Sequence, residues 1–163
     1  VVTIPVFIAL GGNLGDRAAQ LKAALSRLGA VMSLDTCSPV YETAPLYVTG
    51  QPAFLNQAVG GRTALAALAL LERLKAIERA LGRVPAEPNG PRVIDLDILY
   101  YGDAVIRQPP TLVVPHPRIA ERRFVLQPLA DIAPLHRDPA TGMTVAGMLA
   151  ALPLSGNVRR WEA

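Results

Sequence analysis

The stretch Val93-Ile94-Asp95-Leu96-Asp97-Ile98-Leu99-Tyr100-Tyr101 constrains this chain more than any other. It is apolar except for two carboxylates placed two residues apart. Side chains alternate along a strand, so Asp95 and Asp97 share one face while Leu96 and Ile98 take the other. The strand therefore needs a core on one side and, on the other, a setting that tolerates two negative charges. With Cα atoms roughly 6–7 Å apart, two ionised carboxylates repel by about 2–3 kcal/mol at an effective dielectric near 20. Two readings stand side by side. Either both acids lie on a solvated face at a sheet edge, or they hold a cation. Paired oxygen donors suit Mg²⁺, with phosphates and water completing the shell. Arg92, in the turn Gly90-Pro91-Arg92, brings an anion-binding guanidinium close to the pair.

The rest of the chain can supply the core. Of 163 residues 51% are hydrophobic and 18% charged, which excludes a disordered tail and suits one domain over residues 1–163. Val6–Leu10 reads as a buried strand ended by Gly11-Gly12. Asp16–Leu28 is an amphipathic helix with Leu21, Ala24, Leu25 and Leu28 on one face, Asp16 as its N-cap and Gly29 just past its end. Val31–Tyr41 and Ala53–Arg62 read as strands. Ala64–Leu81 is the best helix, with Thr63 able to cap its start and Gly82 its end. A proline-rich loop, Arg83–Pro91, precedes the strand Val93–Tyr101. Gly102-Asp103 then turns the chain so that Ala104–Arg107 pairs back as a hairpin. Arg118–Leu126 forms a helix that Pro128 should end or kink, and Thr144–Leu152 a short one. The order β-α-β-β-α-β predicts an α+β, ferredoxin-like antiparallel sheet with helices packed on it, plus a hairpin and C-terminal helices.

Charge and composition exclude several classes. Sixteen Lys and Arg against thirteen Asp and Glu leave a net charge of +3, too little to argue nucleic acid. Fourteen of the cations are Arg. A GC-rich genome would explain that excess; anion binding is the functional reading. The longest uncharged apolar run, Ala64–Leu71, has eight residues where a membrane span needs roughly 18. The first residues, Val1–Pro5, have no basic segment, so no secretory signal is expected, and without a Met the natural start is expected upstream. One cysteine, Cys37, excludes an internal disulfide framework and a multi-cysteine zinc site. A cytoplasmic location follows as the expectation.

Weaker signals surround the acid pair. Gly11-Gly12-Asn13-Leu14-Gly15-Asp16 joins a strand to a helix and could present N–H groups to an anion, although a tight turn also accounts for its glycines. His116 is held between Pro115 and Pro117, which fixes where its ring points. Arg122 and Arg123 read first as a solvated face. Phe54 and Asn56 share a strand face, an aromatic ring beside an amide, which could grip a flat heterocycle or simply pack. No residue presents itself as a general base.

Five ordered motifs together closely resemble the 6-hydroxymethyl-7,8-dihydropterin pyrophosphokinase family. They are Gly11–Asp16, Tyr41–Leu46 (Tyr-x-Thr-x-Pro-Leu), Phe54–Asn56, Gly90–Asp97 (Gly-Pro-Arg-x-x-Asp-Leu-Asp) and Val114–Leu129. The resemblance covers about Val6 to Leu152. It implies pyrophosphate transfer from ATP to the pterin hydroxymethyl group, with two Mg²⁺ ions. Asp95 and Asp97 then resemble the metal ligands. Arg83 and Arg92 resemble the catalytic cations on the ATP phosphates, and Glu78, Ile98, His116 and Arg122 further ATP contacts. Thr43, Pro45, Leu46, Phe54, Asn56, Asp95 and Phe124 resemble the pterin pocket. The implied partners are ATP and the pterin alone, with no nucleic acid and no membrane, in a monomer. The chain departs from some members in the Arg83–Gly90 loop, where Pro85 and Asn89 replace an Arg and a Trp, and at Phe54, where others have Tyr.

Two other classes compete on the same fold. An RNA-binding module would need aromatic platforms on its central strands, and only 5% of residues are aromatic. A small-molecule-sensing domain would have no use for the acid pair.

Overall fold

The structure is a computed structural model and describes residues 1–45, 47–85 and 88–163. Leu46, one of the pterin-pocket residues, and part of the Arg83–Pro91 loop therefore lie outside the described residues. Eight strands are described: β1 Ile4–Gly12, β2 Ser33–Cys37, β3 Tyr41–Thr43, β4 Phe54–Thr63, β5 Asp95–Tyr101, β6 Ile106–Gln108, β7 Leu112–Val114 and β8 Val158–Arg160. The helices are α1 Arg17–Leu28, α2 Ala67–Ala80, α3 Arg123–Ile132 and α4 Val145–Ala151.

The main sheet runs β5-β1-β4-β3-β8, with β2 also on β4, and every pairing is antiparallel. This is the expected ferredoxin-like arrangement, with two differences. The single strand read over Val31–Tyr41 is two, because Ser38 and Pro39 interrupt it; Ser38 instead donates its N–H to Ala58 O and accepts from Ala58 N–H. The Gly102-Asp103 turn exists, but the strand after it does not return to β5. That edge is left unpaired by β6, which pairs with β7 in a separate two-stranded sheet.

Alternation along β1 sets the two layers. Val6, Ile8 and Leu10 point into the main core with Leu21, Ala24 and Leu28 of α1, Leu70 and Leu74 of α2, and Leu96 and Ile98 of β5. Each such fully buried side chain contributes about 1.5–3 kcal/mol. On the other face Phe7 packs with Ala58, Tyr100 and Leu99 under α3 and α4. A bulge makes this possible: Phe7 opposes Tyr100 but Ile8 opposes Ile98, so Leu99 is the extra residue. Beyond Phe7 the same face of β1 carries Ala9 and Gly11. Side-chain size falls to nothing along the strand, and the space left is a cleft.

Helix ends follow local chemistry, not always as expected. Asp16 caps α1 through Ala19 N–H at 3.1 Å, and Thr144 caps α4 through Gly147 N–H at 3.0 Å. Gly29 ends α1 in a right-handed conformation (φ −58°), so no left-handed cap forms there. Thr63 does not cap α2, which begins at Ala67; its hydroxyl donates to Val31 O and accepts from Leu65 N–H. Gly82 does end α2, at φ +97°, with Gly82 N–H on Arg79 O and Arg83 N–H on Glu78 O. The helix expected over Arg118–Leu126 is a 3-10 turn, Ile119–Glu121, followed by α3. Pro128 does not end α3, which runs on to Ile132; it sits buried inside the helix. Burial on the core-facing side outweighs the one backbone hydrogen bond lost. Among the described residues no helix is long and apolar enough to cross a membrane.

Candidate active site

One row across three strands places the site: Asp95 of β5 opposes Gly11 of β1, which opposes Asn56 of β4. Asp97 follows opposite Ala9. Asp95, Asp97, Thr43, Phe54, Asn56, Arg92, His116, Arg122 and Phe124 all line the cleft, as do Tyr47 and Asn89. Segments far apart in sequence thus converge where the small side chains of β1 leave room.

The two acids behave differently. Asp95 accepts from Arg83 Nη1 at 2.5 Å and from Arg92 Nη1 at 3.2 Å. Burial works to raise its pKa, but the charge and hydrogen bond of Arg83, and then Arg92, hold it below the usual carboxylate range. Among the described residues Asp97 has no such partner. Burial, then the neighbouring Asp95 charge, push it up to about 7. Asp97 is therefore the member of the pair without a counter-charge of its own. Two oxygen-donor side chains on one face, one left short of a counter-charge, fit a hard divalent cation such as Mg²⁺ that brings its other ligands as phosphate and water. Among the described residues no cluster of three or more His, Cys, Asp and Glu competes as a metal site.

The cations are held from behind. Glu78 of α2 is buried, accepts from Leu96 N–H at 2.7 Å and lies 3.2 Å from Arg83 Nη1. The left-handed turn at Gly82 starts the chain back towards this carboxylate. Desolvation raises the Glu78 pKa against the opposing pull of the Leu96 N–H and Lys75. Arg92 is fixed by Nε to Gly90 O at 3.0 Å and lies 5.3 Å from the centre of the Phe54 ring. Its backbone is clamped by Asn13, whose Oδ1 accepts Arg92 N–H at 2.9 Å, while Arg92 O accepts the N–H groups of Asn13 and Leu14. Asn13 Nδ2 also donates to Gln51 Oε1 and Pro52 O, and Gln51 Nε2 to Asn89 O. The Gly11–Asp16 turn is thus a brace, with two of its N–H groups committed to protein.

On the other wall, Asn56 Nδ2 donates to Thr43 Oγ1 at 2.8 Å, which leaves Asn56 Oδ1 over Gly11. His116 accepts Arg118 N–H at Nδ1, and burial, with Arg122 nearby, lowers its pKa to about 4. It is neutral at pH 7.

Other expected site residues lie away from the cleft wall. Ile98 points into the core on the face opposite Asp97, so its side chain does not reach the cleft. Glu78 stands behind Arg83, and neither is among the cleft-lining residues; Arg83 reaches the site through Asp95. Pro45 is half-buried in the loop after β3 and is likewise not a lining residue. Phe7 and Tyr100, which an RNA-binding sheet would present, are packed under α3 and α4 against His136. Sequence reasoning missed Tyr47, Asn89, Asn13 and Gln51; these lie in turns and loops whose contacts join segments distant in sequence, from 38 to 79 residues for the hydrogen bonds of Asn13 and Gln51 to one another, to Asn89 and to Arg92, and leave no periodic signal.

Fold and site together define a ferredoxin-like α+β protein whose cleft sets paired carboxylates against arginines and an amide-lined aromatic wall. Residues 7–134 match the family model of 7,8-dihydro-6-hydroxymethylpterin-pyrophosphokinase (HPPK), and the chain belongs to that family. It is 42% identical over 153 residues to a Pseudomonas aeruginosa 2-amino-4-hydroxy-6-hydroxymethyldihydropteridine pyrophosphokinase, covering 93% of each chain. It is 43% identical to the Pneumocystis carinii folic acid synthesis protein fol1, over 86% of this chain but 19% of that one. The chain spans about a fifth to a quarter of the length of several such relatives. A Plasmodium falciparum HPPK-DHPS structure has the same fold, with a TM-score of 0.78 at 15% identity over 98% of this chain and 49% of that one.

Proposed function

We propose that this chain transfers pyrophosphate from ATP to the hydroxymethyl group of 6-hydroxymethyl-7,8-dihydropterin, giving AMP and the pterin diphosphate, a step of folate biosynthesis. The observation that carries this reading is that Asp95 and Asp97 face the same cleft as the Thr43–Asn56 pair. One wall handles a cation and phosphates, and the other a flat polar ring.

Asp95 and Asp97 would hold Mg²⁺, two ions in this reading. When bound, these supply counter-charge for the triphosphate and for the oxygens on either side of the transferred group. Arg83 and Arg92, both paired with Asp95, would take up phosphate oxygens and stabilise charge that grows there. Arg122 and neutral His116 extend the phosphate- and nucleotide-facing wall. Glu78 acts through Arg83. Asn56 Oδ1 can accept from a ring N–H or amino group while Thr43 keeps the amide oriented, and Phe54 and Phe124 supply aromatic surface for stacking. Phosphoryl-type transfer depends on positioning and charge more than on covalent help from the protein, and this cleft is built for both. The reading takes the chain as a single domain over residues 1–163, acting as a cytoplasmic monomer.

Incubating the protein with ATP, Mg²⁺ and the dihydropterin alcohol should release AMP in step with the pterin diphosphate. ADP in place of AMP would redirect the assignment to a single-phosphoryl kinase. No pterin-dependent consumption of ATP would overturn it.

A further inference from the structure

Arg122 is held in the cleft wall in an unusual way. Arg83 and Arg92 both pair with Asp95, but among the described residues Arg122 has no carboxylate partner, and its buried Nε has no hydrogen-bond partner. Its guanidinium carbon instead lies 5.4 Å from the centre of the Tyr47 ring and 5.5 Å from that of Phe124. Tyr47 also takes Arg118 at 4.5 Å, and Arg118 is fixed further by Glu121. Tyr47 sits on the loop between β3 and β4, lines the cleft and keeps part of its ring exposed.

A carboxylate partner would hold a guanidinium by occupying its N–H edges. An aromatic face attracts the same charge without accepting those donors in conventional hydrogen bonds. Tyr47 therefore restrains Arg122 while leaving its N–H fork free for another anion. Resting on the nucleotide reading above, we infer that Tyr47 is a positioning residue that sets the affinity for a nucleoside triphosphate by holding Arg122 ready in the cleft wall. The ring face does this work, and the hydroxyl, which donates no hydrogen bond among the described contacts, does not.

Equilibrium titration with Mg²⁺ and a non-hydrolysable ATP analogue tests this without turnover. Tyr47→Ala should weaken binding about tenfold, the scale of a partly desolvated cation–π contact, and Tyr47→Phe should restore it. In an Arg122→Ala background, Tyr47→Ala should have no further effect, because the two act as one unit. Equal affinities for wild type and Tyr47→Ala, loss in Tyr47→Phe as large as in Tyr47→Ala, or additive losses in the double variant would each overturn the inference while leaving the nucleotide reading standing. A wild-type protein with no affinity for the analogue would overturn both.

Discussion

A Cβ built on Gly11 would stand 2.7 Å from Asn56 Oδ1, its partner across the β1–β4 ladder. The absence of a side chain on β1 is what lets the Asn56 amide lie flat on the cleft floor with its nitrogen on Thr43. Gly11→Ala should push that amide aside and weaken dihydropterin binding about 10- to 100-fold, the loss of one or two hydrogen bonds in a desolvated site. Gly12→Ala should act differently, because its Cβ would meet the Val93 carbonyl oxygen at 2.3 Å, a backbone atom that cannot swing away. Urea unfolding should show Gly11→Ala near wild type and Gly12→Ala destabilised by about 2–3 kcal/mol.

The charge on Asp97 predicts an inverted pH dependence in metal-free buffer. A carboxyl whose folded pKa is raised from 3.8 to about 7 binds a proton in the native state that the unfolded chain has already lost. Its contribution is therefore present below pH 4 and disappears as pH rises through 7. Asp97→Asn removes this dependence, so its urea midpoint should gain on wild type between pH 5 and pH 8. Asp95, held low by its arginines, titrates below that window. The same variant should lose pterin-dependent AMP release. A gain that is flat with pH would show that Asp97 is ionised throughout.

His116 should stay neutral far below the usual histidine range. Burial and Arg122 bring its pKa to about 4, so its imidazole resonance should not move between pH 5.5 and 8 and should reach its midpoint near pH 4. The chain has two histidines, which makes assignment direct through His116→Gln. A midpoint near 6.5 would place the ring in solvent.

Glu78 should matter to catalysis without touching a ligand. Glu78→Ala strands the Leu96 N–H and releases Arg83, costing about 2–4 kcal/mol of stability. Glu78→Gln keeps an acceptor for Leu96 and should recover most of that stability, yet leave Arg83 without its second carboxylate. A lower kcat with little change in pterin KM for the Gln variant would mark a positioning role; wild-type kcat would assign Glu78 to stability alone.

Local and periodic features were legible before any coordinates. The alternation over Val93–Tyr101 is encoded in a period of two, so the sharing of one face by Asp95 and Asp97, and the burial of Leu96 and Ile98, could be read directly. The amphipathic faces of α1 and α2, the cap at Asp16 and the Gly82 end of α2 are equally local. The five ordered motifs pointed to the family and to most of the cleft residues. Ile98, one of the residues they implied, has its side chain on the core face, as its position in the alternation requires.

What depended on the tertiary structure is whatever rests on distant segments meeting. Proline at 128 is tolerated because one face of α3 is buried, an energy that no window of sequence contains. β6 leaves β5 for β7 because a turn specifies a reversal but not the partner strand. The carboxylates at 95 and 97 are chemically identical in the sequence, and only the arrival of Arg83 and Arg92 at one of them makes the first a paired anion and leaves the second a carboxyl that burial and its neighbour push up. Electrostatic energy depends on distance in space, and distance in space between residues 47, 83 and 122 is set by the fold.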